Sequence, residues 1–135
     1  MGRVLLGLIL LYGAASLTHF THNAEFLRDY PNMPSWISRA EIYIAWIIVA
    51  AIGISGYVVW RRGHAVVGLS LIAAYAALGF DGLAHYALAP FDDHGLTMHL
   101  TIWLEVVAAA LLLAVVVGYM AKLWAAKASG REYGA

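Results

Sequence analysis

The chain contains no cysteine, which excludes a disulfide, a thiolate metal site and an iron–sulfur cluster. Any bound metal would have to be held by His, Asp, Glu, Asn or Met. Charge is scarce as well: only 12% of the 135 residues are Asp, Glu, Lys or Arg, 8 of each sign. The formal net charge is zero, so no basic excess exists to attract a nucleic acid backbone, and nucleic acid is not expected as a partner. No G-x-x-x-x-G-K-[ST] run or strand-borne G-x-G-x-x-G occurs, so no phosphate cradle is legible. Ser16 precedes His19 by one helical turn, yet nothing activates it as a nucleophile, and a hydrolase reading has no support.

What the chain has instead is apolar length. Its residues are 63% hydrophobic and its mean hydropathy is +0.77, values that exclude an ordinary soluble domain. A bilayer core about 30 Å thick is crossed by roughly 20 apolar helical residues, and four such stretches almost fill the sequence, over residues 4–20, 42–60, 65–89 and 97–121. No alternating strand pattern competes with them. The expected fold is therefore all-α, an integral membrane four-helix bundle forming a single domain over residues 1–135, with a short terminus over residues 125–135. The first stretch carries some marks of a signal peptide, since Arg3 precedes an apolar run that ends in small residues near Gly13 to Ser16. It is expected to be retained as a span.

Arg61-Arg62-Gly63-His64 reads as a tight turn, the segment from Pro90 to Leu96 as a short connection, and residues 21–40 as a longer loop containing Pro31 and Pro34. Ser38-Arg39-Ala40-Glu41 has the form of a capping box that opens the second helix. Arg3, Arg61, Arg62, Lys122, Lys127 and Arg131 fall on one side of the spans, and only Arg28 and Arg39 on the other. This bias predicts that both termini are cytoplasmic. Trp60 and Trp124 then mark the inner interface, and Tyr30, Trp36 and Tyr86 the outer one. The expected location is a bacterial inner membrane, with the polar residues near the periplasmic face.

Those polar residues carry the functional interest, because an ionisable group inside a bilayer is expensive and needs a partner or a task. His19, His22, Asp81, His85, His99 and Glu105 all lie in the outer halves of the first, third and fourth spans. His19 and His22 are three residues apart and Asp81 and His85 four, so each pair shares a helix face. His99 opens the fourth span, where the hairpin brings it back toward the level of His85. Glu105 lies about 9 Å deeper at 1.5 Å per residue and is expected to serve a second position. Leu17-Thr18-His19-Phe20 is faintly echoed by Leu83-Ala84-His85-Tyr86, which would place His19 and His85 at equal depth on opposed helices. Gly53, Gly56, Gly79 and Gly82 would let helices approach closely.

Imidazole and carboxylate together suit copper, iron or zinc, with Asp81 either a ligand or the acceptor that orients a ligating histidine. The plainer alternative is that His22 and His99 sit among headgroups, that Asp81 and Glu105 pair with a histidine or cap a helix, and that His64 and His94 are loop residues; Asn23 and Glu25 continue the face of His19 and His22 and could add ligands, a solvated loop position being their expected role. The leading expectation is a small membrane metalloprotein with a redox or metal-handling role, an oxidoreductase in its enzymatic form. A b-type cytochrome is the first alternative, with haem b held by His19 or His22 and His85 or His99. An accessory or assembly subunit of a larger membrane complex or a homo-oligomer, and a proton or metal-ion transporter, complete the set.

Two resemblances follow from these residues. The phrases His19-Phe20-Thr21-His22-Asn23, Tyr30-Pro31-Asn32-Met33-Pro34-Ser35-Trp36, Asp81-Gly82-Leu83-Ala84-His85-Tyr86 and His99-Leu100-Thr101-Ile102-Trp103-Leu104-Glu105 resemble small uncharacterised four-span bacterial membrane proteins, which implies the fold and no activity. Asp81, His85 and His99, an Asp-x3-His followed by a His on the next helix, are similar to the metal-binding pattern of the C subunit of copper membrane monooxygenases. That likeness implies a metal held by these three residues near the membrane face, and no substrate.

Overall fold

The structure, a computed structural model, describes residues 2–129. Five α-helices run in chain order: α1 (Gly2–Glu25), α2 (Arg39–Arg61), α3 (Ala65–Leu78), α4 (His85–Leu88) and α5 (Leu96–Ala128). Short 3-10 turns occupy Leu27–Asp29, Asp81–Ala84 and Phe91–Asp93, and no strand occurs among the described residues. With α3, the turn after it and α4 counted together as Ala65–Leu88, four helical segments are long and apolar enough to cross a membrane.

The first span is longer than residues 4–20, because α1 carries His19, His22 and Asn23 on unbroken helix to Glu25. The fourth runs on to Ala128, taking in the start of the expected terminus, and residues 130–135 lie outside the described residues. The third span, expected as one helix over residues 65–89, is interrupted. The amide of Gly79 donates to Ala76 at 3.1 Å and that of Phe80 to Ala77 at 3.2 Å, the tighter spacing of a 3-10 turn. Gly79 and Gly82 flank this stretch, and glycine is the weakest ordinary helix former. The second helix starts as its sequence predicts: the Glu41 amide donates to Ser38 Oγ and the Ser38 amide to Glu41 Oε2 at 2.6 Å, a complete capping box.

Helix α5 packs against α1 and α3, and α2 against α1 and α3. One half of the bundle is filled by an apolar core that includes Leu5, Ile9, Leu69, Ile72, Leu112 and Val116. Close approach between elements depends on glycine at particular points. A Cβ on Gly53 would lie 2.7 Å from the ring of Tyr75, and one on Gly68 would collide with the backbone nitrogen of Trp60. In the other half, at the end bearing the α1–α2 and α4–α5 connections, the interior turns polar.

Candidate functional site

Helix α1 presents His19 and Asn23, one turn apart, to the bundle interior; His19 is 1% exposed and Asn23 8%. Opposite them the interrupted third span delivers His85, also 8% exposed, as the first residue of α4. The His19 and His85 rings stand edge to face with centroids 5.5 Å apart, the opposed placement that the faint repeat implied. Between them lies the Asn23 amide, whose Nδ2 is 3.0 Å from His19 Nε2 and 3.3 Å from His85 Nε2.

The proton positions follow from the outer partners. Thr101 on α5 donates its hydroxyl to the Met98 carbonyl at 3.1 Å, so the 3.3 Å contact between His19 Nδ1 and Thr101 Oγ1 requires the proton on Nδ1. His19 Nε2 is then an acceptor and receives an Asn23 N–H. This fixes the orientation of the Asn23 amide and leaves its Oδ1 buried with no hydrogen-bond partner. Glu105 on α5 is fully buried, with Oε2 3.8 Å from His19 Nε2 and neither carboxylate oxygen hydrogen-bonded. Gly82 backs this group: a Cβ there would meet His19 Nε2 at 3.4 Å and Glu105 Oε2 at 3.5 Å.

Glu105 therefore belongs with His19 and not at a separate deeper position. The helix α5 is unbroken, so the face that carries Glu105 toward α1 carries His99 elsewhere. His99 is half-buried, shares a 2.8 Å hydrogen bond with the Tyr86 hydroxyl and stacks on Phe91 at 3.9 Å. His22 is half-buried and reaches the cluster only through Tyr30, whose hydroxyl shares a 2.8 Å hydrogen bond with it. Among the described residues no three His, Asp or Glu side chains form a group able to hold a metal ion as they stand. The trio Asp81, His85 and His99 does not assemble one, since His85 Nε2 faces Asn23 and His99 faces Tyr86.

Several participants lie where the sequence pointed to loops. Tyr30 is 3% exposed, packs its ring 4.8 Å from that of His85, and burial pushes its hydroxyl up to about 12. Its segment is tied down by Asn32, which takes the left-handed backbone region at φ 57° and donates Nδ2–H to the Leu88 carbonyl at 2.9 Å. His94 is buried too, donating Nδ1–H to the Pro90 carbonyl at 2.9 Å, with Nε2 unpartnered. The capping signature before α2 was the one local cue to how this loop end is organised. Glu25, another residue read as loop, pairs with Arg39 and accepts a 2.8 Å hydrogen bond from Tyr43, which fixes the start of α2 against α1.

The cluster borders a cavity of about 500 Å³ between α1, α2 and the broken third span. Its polar wall is made by His19, Asn23, Asp81 and His85, with Glu41 contributing from the start of α2. Its apolar wall includes Phe20, Met33, Trp36, Ile37, Ile42 and Leu88. Asp81 is exposed within it and, among the described residues, pairs with no Lys or Arg.

No protein family, curated protein or solved structure matches this chain.

Proposed function

We propose that this is a small integral membrane protein that binds a lipid-soluble molecule at the polar end of its bundle. The observation that carries the reading is the cavity of about 500 Å³, with one polar and one apolar wall. That volume lies within the range of small-molecule sites, which combine apolar lining with a few placed polar groups. Below the cluster Ser16 and the Tyr12 hydroxyl continue the polar groups for about two turns of α1, and beyond them Leu5, Ile9, Leu69, Leu112 and Val116 close the interior, which supports binding over passage across the membrane. With the basic residues directed to the cytoplasm, the cavity faces the outer leaflet, in a bacterium the periplasmic half of the inner membrane. The direct test is to fill the cavity. Ala45 lines it, and Ala45→Phe is expected to abolish a small-molecule adduct that native mass spectrometry finds on the wild-type protein. An adduct unchanged in the variant would contradict the assignment.

A second reading, a metal ion that displaces the Asn23 amide from His19 and His85 and takes Glu105 as a third ligand, is favoured by one observation: both Glu105 oxygens are buried and unpartnered, with Oε2 3.8 Å from His19 Nε2. Buried polar atoms without partners call for an explanation, and His19 has its other ring nitrogen anchored through Thr101 in the way metal-bound imidazoles usually are. Copper, iron or zinc suits that donor set, and a redox or metal-handling role would follow. The edge-to-face rings with Asn23 between them favour a single small ion over a haem b clamped by His19 and His85. On this reading elemental analysis finds near-stoichiometric metal that His19→Ala and Glu105→Gln lose and His99→Ala keeps. Equal metal content in all four proteins, or none in any, counts against it.

A further inference from the structure

We infer that the molecule taken by the cavity carries a hydrogen-bond-donating head, such as an alcohol or phenol on an apolar body, and not an anionic head. The inference rests on the cavity being a binding site and concerns which chemistry the site selects. The charged groups placed around it are acceptors. Asp81 presents an exposed carboxylate with no basic partner among the described residues. Glu41 adds a second carboxylate from the start of α2, already accepting from the Ser38 amide.

The donors are neutral and few. The proton on His19 Nδ1 is directed to Thr101 and the Asn23 amide hydrogens to two imidazoles, which leaves the N–H groups of His85 Nδ1 and the Trp36 indole, and among the described residues no Lys or Arg lines the cavity. A carboxylate, phosphate or sulfonate head would therefore meet the Asp81 and Glu41 carboxylates with no cation beside them, and like charges at close range disfavour each other. A hydroxyl head meets partners it can donate to. The apolar wall of Phe20, Trp36, Ile37 and Ile42 receives the rest of the molecule.

Trp36 is 74% exposed and lines the cavity, so it reports occupancy. The experiment titrates full-length protein in lipid nanodiscs with ω-bromoundecanol and, separately, with ω-bromoundecyl sulfonate of equal chain length, reading quenching of the Trp36 component defined by Trp36→Phe. The expected result is saturable quenching by the alcohol, with the sulfonate at least about tenfold weaker, in line with the value of a hydrogen bond to a charged group. Asp81→Leu, at an exposed position that need not disturb the core, is expected to weaken the alcohol about tenfold and to narrow the gap between the two probes. Saturable quenching by the sulfonate as strong as by the alcohol overturns this inference while leaving the cavity a binding site. Linear, non-saturable quenching by both probes overturns the binding site itself.

Discussion

At the residue scale the site depends on one hydrogen-bond chain, from His19 Nδ1 to the Thr101 hydroxyl and on to the Met98 carbonyl. It fixes the imidazole tautomer, and through it the direction of the Asn23 amide. Thr101→Val keeps the shape and removes the acceptor, leaving the Nδ1–H of a nearly fully buried histidine without a partner. Such an orphan costs about 1–3 kcal/mol, so chemical unfolding in detergent micelles should show a loss of that order, with the helical content of the folded protein unchanged. A variant as stable as the wild type would place the His19 proton on Nε2 and reverse the orientation deduced for Asn23. The chain itself was only half legible in the sequence. Spacing marked His19 and His85 and set Asn23 on the face of His19, but Thr101 carries no signal, since a Thr in an apolar helix is ordinary in composition.

At the scale of elements, the decisive feature is the interruption of the third span. A continuous helix over residues 65–89 would carry Asp81 and His85 on one face, as their spacing predicts. The 3-10 turn at Asp81–Ala84 restarts the helix at His85, and both residues still line the one cavity, Asp81 exposed and His85 buried against Asn23 of α1. Gly79 and Gly82 were visible in the sequence as small packing residues, but two glycines in an apolar run do not by themselves specify a break. The same limit applies to α5. Helical geometry separates His99 from Glu105 by about 120°, yet only the packing of α5 against α1 decides which of the two faces the interior. The start of α2 was the reverse case: a capping box is a local chemical pattern, and Ser38 and Glu41 form it as read.

At the scale of the molecule, the number of spans and the all-helical class follow from hydrophobic length alone, which is why they were the most legible features. Four segments long and apolar enough to cross a membrane are present among the described residues. The asymmetry between an apolar half and a polar half was also legible, because each polar residue in an apolar run stands out. The cavity was not, since it arises where three separate segments fail to close against each other, and its apolar wall draws on residues from α1, the following loop and α2. The absence of native cysteine makes the central claim directly measurable. Ala84 lines the cavity, whereas Ala87 is exposed outside it, so a single thiol can be placed at either position. With ω-bromoundecanol present, Ala84→Cys in nanodiscs is expected to react with a lipid-soluble maleimide several-fold more slowly, and Ala87→Cys at an unchanged rate. Equal rates with and without the alcohol at Ala84→Cys would contradict a ligand site in this cavity.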